Sequence, residues 1–389
     1  MFLTRVLIPI LIIILLTPFQ IFGEEHKNIN INSEAAILVD ANSGEVLYSQ
    51  SAEKSMYPAS ITKIVTAIIA IEQGNLGDTV TVSENARNVI GTRVYLEPGE
   101  QVKMEKLVKG LLLNSGNDAG VAIAEHMDGS VEDFSDRMNR FVKEEIGVTN
   151  SNFENPHGLY DPKHVTTASD MAKITQYAMQ NETFREIVGT KQMEWDGEGW
   201  DTTLYNHHRL VRQRDDVTGV KNGFVSQSGF TLVSSASQEH LDLIVVTLNS
   251  TTADAAYQDT NELLDYGFEN FKTFTVEATS QNYQIGNREY IFEDDFVFTA
   301  DRNLVWTHEV NQQGQLIIKN DQGMTIDAYD LQEVLPASTN NNTPEAIDHT
   351  KTELNQFSSW GIVSSTIVII AGLLIVKIVR KRRKNRMFY

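Results

Sequence analysis

The strongest constraint on the fold of this chain is the apolar run that follows Pro58–Lys63. From Ile61, branched aliphatic residues recur at the i, i+3, i+4, i+7, i+8 spacing of a helix pressed into a core. Ser60 falls in the first turn of this predicted helix, and Lys63 follows three residues later on the same side. The run therefore predicts a buried helix that carries a hydroxyl beside an amine. The stripe consists of Ile61, Ile64, Val65, Ile68 and Ile69.

The position of this pair on the helix predicts its chemistry. The Ser60 hydroxyl lies near the positive end of the helix dipole. An amine among aliphatic side chains is shifted towards its neutral, basic form, because burial disfavours the charge. We therefore expect Ser60 to be a nucleophile and Lys63 to be its base. A second Ser-x-x-Lys, Ser51–Lys54, lies in polar sequence without a helical stripe and is expected at the surface.

Composition excludes several classes of function. The net charge is −20, and the cations gathered in residues 380–389 leave the rest of the chain more acidic still. Such a body is not expected to bind nucleic acid by counterion release. The chain contains no cysteine, which excludes disulfides, thiolate catalysis and cysteine metal sites.

The two ends of the chain predict export and membrane attachment. Residues 1–23 resemble a signal peptide, with an apolar stretch after Arg5, although an uncleaved anchor is the alternative. Residues 334–359 form a polar linker, and 360–379 are apolar over the length of a transmembrane helix. The basic tail, 380–389, predicts a cytoplasmic C-terminus. We therefore expect a single-pass protein of the cell membrane with its body outside the cytoplasm.

The body divides into an α+β domain, 24–272, and a small all-β domain, 273–333. Strands come first, a block of helices follows, and further strands and one helix end the larger domain, which predicts an antiparallel sheet flanked by helices. The smaller domain has short alternating apolar runs separated by turn residues. The predicted strands are Ala35–Asp40, Glu45–Tyr48, Gly219–Phe224, Phe230–Ser237 and Leu241–Leu248. The predicted helices include 100–113, Ala119–Met127 capped by Asp118, Val131–Glu145, one capped by Ser169 and Asp170, and Ala255–Phe271.

Two further motifs follow Ser60-x-x-Lys63 in the chain. Ser115-Gly116-Asn117 lies in a loop between predicted helices, and Lys221-Asn222-Gly223 heads a predicted strand. Each motif alone is weak. Together, in this order and on these element types, they match the Ser-x-x-Lys, Ser-Asp-Asn and Lys-Thr-Gly set of the penicillin-recognising serine enzymes.

The stretch from Glu34 to Phe271 resembles the D-alanyl-D-alanine carboxypeptidases, the low-molecular-mass penicillin-binding proteins of serine peptidase family S11. Three phrases carry the resemblance, namely Pro58–Lys63, Leu113–Asp118 and Asn155–Leu159. The resemblance implies a penicillin-binding, β-lactamase-like transpeptidase fold, followed by a β-rich domain and a C-terminal transmembrane anchor.

The resemblance also implies the reaction and its residues. Ser60 would attack the carbonyl between the last two D-alanines of a peptidoglycan stem peptide, and β-lactam antibiotics would acylate it. Backbone N–H groups of Ser60 and Phe224 would stabilise the oxyanion, and no metal or cofactor is needed. The catalytic residues would be Ser60, Lys63 and Ser115, and the substrate-binding residues Asn117, Lys221, Asn222, Gly223 and Phe224.

The third motif departs from the family pattern. Asn222 and Val225 stand where the family has threonines that help to hold the terminal carboxylate, and Ser226 compensates only if the strand register shifts. Two alternatives therefore stay open, a β-lactamase and a weakly active or non-catalytic wall-binding homologue. No Glu-x-x-Leu-Asn phrase that would supply a deacylating base lies between Asp118 and Lys221.

Three histidines allow other interpretations. His157 invites a catalytic triad, but we expect a structural histidine beside the site. His207 and His208 lack carboxylate or cysteine neighbours at ligand spacing, so we expect surface or loop residues and no metal site.

Overall fold

A computed structural model describes residues 29–239 and 241–334. Its centre is a five-stranded antiparallel sheet, formed by two strands from the start of the body and three from near the end of the larger domain. The sheet therefore brings together residues from both ends of that domain. Its strands are β1 (Ala35–Asp40), β2 (Val46–Gln50), β7 (Val217–Val225), β8 (Gly229–Gln238) and β9 (Leu241–Ser250), in the order β2-β1-β9-β8-β7.

Helices cover both faces of this sheet. All six residues of β1 are buried, and they alternate between two apolar cores: Ile37 belongs to one and Leu38 to the other. The helices are α1 (Lys63–Glu72), α2 (Glu84–Asn88), α3 (Met104–Leu113), α4 (Asn117–Asp128), α5 (Val131–Glu144), α6 (Ala168–Met179), α7 (Glu182–Gly189), α8 (Arg209–Gln213) and α9 (Ala253–Asn270). The core that contains Ile37 includes residues of α1 to α7, and the core that contains Leu38 includes residues of α8 and α9. The predicted α+β class and helix-flanked antiparallel sheet are confirmed.

The predicted helix over 100–113 begins four residues too early. Residues Gln101–Lys103 form a strand, β4, which pairs with β3 (Thr79–Thr81) and buries Val102 between two exposed neighbours. Three alternating residues fit a helical stripe as well as a strand, so the pattern alone did not separate the two. A second short hairpin, β5 (Gln192–Asp196) with β6 (Asp201–Tyr205), was not predicted.

Two predicted helix caps are wrong. Helix α4 begins at Asn117, and Gly116 rather than Asp118 is its N-cap. The Asp118 carboxylate accepts from the N–H of Ala119 in the first turn and also from those of Val94 and Leu96 in a neighbouring loop. Helix α6 is capped by Thr167, whose hydroxyl accepts from the backbone N–H of Asp170 at 3.0 Å. Both caps were placed from side-chain type alone, whereas long-range contacts decide where these carboxylates bind.

A β-rich domain follows α9 without a break. Its first strand begins at Phe271, and its own apolar core contains Phe292, Phe298 and Leu316. The Thr299 hydroxyl donates to Asp40 Oδ2 at 2.6 Å, which links this domain to the end of β1. The strands are β10 (Phe271–Val276), β11 (Thr279–Ile285), β12 (Arg288–Phe292), β13 (Phe296–Asp301), β14 (Trp306–Val310), β15 (Gln315–Asn320), β16 (Thr325–Asp330) and β17 (Gln332–Glu333).

The segments predicted at the two ends of the chain are not among the described residues. The signal peptide (1–23), the linker beyond its first residue (334–359), the transmembrane helix (360–379) and the basic tail (380–389) lie outside the described residues. Within the described part, no helix is both long enough and apolar enough to cross a bilayer.

Candidate active site

Ser60 lies in a tight turn directly before the buried helix. Residues Ala59–Thr62 form a 3-10 turn, and α1 continues from Lys63 with its next seven residues buried. The Thr231 hydroxyl on β8 donates to the Pro58 carbonyl at 2.9 Å, so the central sheet holds the start of the turn. The nucleophile candidate is therefore fixed between the sheet and the helical core.

Two glycines allow the backbone to pack against this turn. A Cβ on Gly158, whose φ is +85°, would lie 1.8 Å from the Ala59 carbonyl oxygen. A Cβ on Gly223 would lie 2.6 Å from the Ser60 backbone nitrogen. Both distances are too short for any side chain, so these positions require glycine. This packing gives a structural reason for the glycine in Asn155–Leu159 and for the one that ends the third motif.

Lys63 is completely buried and joins three parts of the site. Its Nζ donates to Ser60 Oγ at 3.0 Å, to Asn117 Oδ1 at 2.8 Å and to the His157 carbonyl at 2.6 Å. Burial, together with the nearby charge of Lys221, holds the pKa of Lys63 well below its usual range. An amine in this position can accept the proton of the Ser60 hydroxyl.

The second motif is tied to a neighbouring loop. Asn117 donates from its backbone to the Thr92 carbonyl at 2.8 Å and from its side chain to the Ile90 carbonyl at 2.7 Å. The Asp118 carboxylate binds the same loop two residues further on, at the N–H groups of Val94 and Leu96. These contacts orient the Asn117 amide so that its oxygen faces Lys63.

Ser115 lines the cleft next to the hydrogen-bonded pair Lys63 and Asn117. It is nearly buried, adopts a φ of +63° and lines the same cleft as Ser60. Within residues 29–239 and 241–334 its side chain makes no direct hydrogen bond to Ser60 or Lys63. Its hydroxyl is thus free to contact a molecule that enters the cleft.

Strand β7 forms the opposite wall. Asn222, Gly223 and Phe224 line the cleft, and the Phe224 side chain is exposed. Lys221 is buried behind them, and its Nζ donates to the Asn222 carbonyl at 2.9 Å and to Asn222 Oδ1 at 3.3 Å. Desolvation lowers the pKa of Lys221 to about 7. The structure brings all eight predicted site residues to one cleft of about 410 Å³ or directly behind its walls.

The register of β7 leaves Ser226 outside the strand. Val225 pairs with Gly229, and the Ser228 hydroxyl accepts from the Val225 N–H at 3.1 Å. Ser226 is exposed in the turn between β7 and β8. The register shift that would let Ser226 replace a missing threonine hydroxyl does not occur.

The histidines take separate positions. His157 is buried, and burial holds its pKa well below the usual range, so it is neutral beside Lys63. His207 and His208 both lie in the loop between β6 and α8, as expected. His207 is exposed at the cleft, whereas His208 is buried, with Nε2 2.7 Å from Ser234 Oγ. The described part of the chain holds no cluster of three side chains suited to a metal.

Sequence reasoning missed two arginines of the site. Arg209 and Arg212 on α8 also line the cleft. A five-residue helix carries little periodic signal, and neither arginine belongs to a motif, so only the tertiary structure reveals their position.

Comparison with known proteins agrees with this geometry. The family model for D-alanyl-D-alanine carboxypeptidases (Peptidase_S11) matches residues 22–252. The chain is 31% identical over 268 residues to the D-alanyl-D-alanine carboxypeptidase DacF of Bacillus subtilis strain 168, covering 67% of this chain and 68% of that protein. It is 36% identical over 270 residues to DacA of Haemophilus influenzae, covering 64% and 65%. The matched segments thus span about two thirds of these relatives.

Solved structures show the same architecture. Penicillin-binding protein 5 from Haemophilus influenzae superposes with a TM-score of 0.71 at 28% identity, covering 79% of this chain and 98% of that one. A serine-to-alanine mutant of the Streptomyces K15 DD-transpeptidase superposes with a TM-score of 0.58 at 27% identity, covering 62% and 99%. The transpeptidase-like fold of the larger domain is therefore shared with proteins of this class.

Proposed function

The chain belongs to the D-alanyl-D-alanine carboxypeptidase family of serine peptidases, and on this premise we propose that it removes the terminal D-alanine from peptidoglycan stem peptides through an acyl-enzyme on Ser60. The observation that carries the proposal is the contact between Lys63 Nζ and Ser60 Oγ, made by a completely buried amine that also donates to Asn117 and to the His157 carbonyl. A serine hydroxyl needs such a base to become an effective nucleophile.

Acylation begins at the Ser60–Lys63 pair. Lys63 takes the proton of the Ser60 hydroxyl as Oγ attacks the carbonyl carbon of the last peptide bond. The backbone N–H groups of Ser60 and Phe224 stabilise the oxyanion that forms. Ser115 then relays the proton to the nitrogen of the leaving D-alanine, so the C–N bond breaks and free D-alanine departs. Water hydrolyses the ester in the second half of the reaction and restores the Ser60 hydroxyl.

The two walls of the cleft hold the substrate between them. Asn117 contributes its amide beside Lys63, and Asn222 contributes an amide from strand β7. Gly223 allows the strand to approach Ser60, because no Cβ fits there. A β-lactam presents a similar amide to Ser60, but its ring opens without releasing a leaving group, so the acyl-enzyme persists. None of these steps requires a metal or an organic cofactor.

Labelling with penicillin separates this reaction from the two alternatives. The protein is incubated with fluorescent penicillin and, separately, with a diacyl-Lys-D-Ala-D-Ala peptide. We expect a persistent fluorescent adduct and released D-alanine. Rapid turnover of the penicillin would instead identify a β-lactamase, and absence of both labelling and D-alanine release would identify a non-catalytic homologue.

We also propose that the C-terminal segment anchors the enzyme in the cell membrane with its body outside the cytoplasm. The apolar stretch 360–379 and the basic residues after it support this orientation. The chain contains no cysteine, so single cysteines can report the topology. In intact cells an impermeant maleimide should label Asn303→Cys in the β-rich domain but not Asn385→Cys in the tail. Equal labelling of both positions would overturn the orientation.

A further inference from the structure

Two arginines bring positive charge to the cleft of an otherwise acidic protein. Both Arg209 and Arg212 lie on helix α8 and line the cleft. His207 precedes them but adds no charge near pH 7, because desolvation lowers its pKa to about 4. No aspartate or glutamate of the described residues lines this cleft, although the chain as a whole carries a net charge of −20. A cleft lined by one sign of charge attracts ligands of the opposite sign. The cleft is therefore suited to an anionic group.

The two arginines differ in their partners. Arg209 is already engaged, because its Nη1 donates to Asp254 Oδ1 at 2.8 Å and its guanidinium lies 4.2 Å from the centre of the Tyr257 ring. Arg212 is exposed, and no carboxylate of residues 29–239 or 241–334 forms an ion pair with it. Its guanidinium lies 5.8 Å from the centre of the Tyr205 ring. Arg212 therefore has its hydrogen-bond donors available for a ligand.

The buried lysine of the third motif is less available. Lys221 is 1% exposed, and its Nζ points at the carbonyl and the side-chain oxygen of Asn222. It contributes positive charge from behind the wall, but another group must touch an anion inside the cleft. Arg212 lines the same cleft as Asn222 and Thr231, which belong to the wall where the substrate's terminal carboxylate is expected.

We propose that Arg212 is a specificity-determining residue that binds the free C-terminal carboxylate of the substrate. The inference rests on the proposed carboxypeptidase function and adds a residue that belongs to none of the three motifs. A guanidinium pairs with a carboxylate through two parallel hydrogen bonds, which gives direction as well as attraction. This contact would supply the carboxylate with hydrogen bonds that the apolar side chain of Val225 cannot make.

A matched pair of peptides tests the role of Arg212. Diacyl-Lys-D-Ala-D-Ala is compared with the same peptide ending in a carboxamide, which releases D-alaninamide on hydrolysis. We expect Arg212→Ala to lower kcat/KM for the acid by about 10- to 100-fold, as for the loss of a charge-assisted hydrogen bond, and to leave the value for the amide unchanged. Arg212→Lys should retain part of the preference for the acid, because it keeps the charge but not the planar fork. Arg140→Ala, at an exposed position on α5, is the control and should match the wild type.

The outcomes separate the inference from the proposed function. The ratio of kcat/KM for the acid to that for the amide is the decisive quantity. If Arg212→Ala leaves this ratio unchanged, whether neither value falls or both fall equally, the role of Arg212 is overturned while the carboxypeptidase function stands. Acylation by a penicillin methyl ester, which lacks the carboxylate, should be the same in Arg212→Ala and wild type and shows that the Ser60 machinery is undisturbed. If the wild type neither releases D-alanine nor forms a penicillin adduct, the proposed function itself fails and the inference fails with it.

Discussion

The two walls of the cleft are built differently. On the helical wall, Lys63 is completely buried and makes hydrogen bonds to Ser60, Asn117 and the His157 carbonyl. On the strand wall, Asn222 is half-buried and the Phe224 side chain is exposed. Lys63 and Asn117 on the helical wall are each held by several hydrogen bonds, whereas Asn222 and Phe224 on the strand wall face the open cleft.

The difference predicts how well each wall of the site tolerates substitution. A change in the buried network leaves polar groups without partners in a region that water cannot reach, and such groups are costly. A change on the strand wall faces the open cleft, where solvent or substrate can replace the lost contact. We therefore expect large effects on the helical wall and smaller ones on the strand wall.

The largest effect is expected for Lys63→Ala. Removing the base should slow acylation by penicillin by about 10²–10⁴-fold, the usual contribution of general acid–base catalysis. Because burial lowers the pKa of Lys63, the wild-type rate should rise with pH as the amine loses its proton and then level off. Stopped-flow labelling across a pH series measures both. Lys54→Ala, in the exposed Ser51–Lys54 copy of the motif, is the matched control; equal rates in the two variants would contradict the assignment.

Asp118→Ala should have the next largest effect, on stability first. The Asp118 carboxylate accepts from the backbone N–H groups of Val94, Leu96 and Ala119, so its removal takes this partner from three buried donors. We expect the free energy of unfolding to fall by about 1–3 kcal/mol for each of them. Urea unfolding measures the loss, and Asp118→Asn, which keeps one acceptor oxygen, should lose less. Asp136→Ala, at an exposed position of α5, should change little; a comparable loss there would contradict the account.

Lys221 should make stability depend on pH. Its pKa is about 7 in the folded protein and 10.5 for an unperturbed lysine, so between these values the unfolded chain binds more protons. The free energy of unfolding should therefore rise as the pH increases from about 7 to about 10.5, and the cost of burying the charge is fully present below pH 7. Lys221→Met removes this contribution. Its advantage in stability over the wild type should shrink across the same interval, and a constant difference would refute the shift.

The smallest effect is expected for Asn222→Thr. The side-chain oxygen of Asn222 accepts from Lys221, which aims its amide differently from a short threonine hydroxyl. Restoring the hydroxyl should raise kcat/KM for the D-Ala-D-Ala peptide by about two- to tenfold, the value of one hydrogen bond. Asn303→Thr, at an exposed position in the β-rich domain, should leave it unchanged. Unchanged or lower turnover in Asn222→Thr would instead show that Asn222 is adapted to its task.

Local sequence predicts more of the helical wall than of the strand wall. Ser60 and Lys63 are neighbours on one helix turn, so spacing alone predicted their contact, and burial separated them from the Ser51 copy. The bond between Asp118 and Val94 spans 24 residues and depends on how a loop packs against α4. No local pattern distinguishes that role from a helix cap.

Arg212 illustrates the same limit in the cleft. Its helix, α8, contains only five residues. Arg212 reaches the cleft because α8 packs against strand β7 of the central sheet. The fold class followed from the order of strands and helices, which is a property of the whole chain. The charge of the cleft depends on which surface residues the fold brings together, and that arrangement is not visible in the order of elements.

The most direct test of the account is to locate the penicillin adduct. Trypsin cleaves after Lys54 and Lys63, so Ser60 falls in the peptide 55–63 while Ser51 falls in the preceding peptide. Mass spectrometry of the digested, penicillin-treated protein should place the added mass on 55–63, and Ser60→Ala should remove it. An adduct on the peptide that contains Ser51, or an undiminished adduct on 55–63 in Ser60→Ala, would contradict the assignment of Ser60 as the nucleophile.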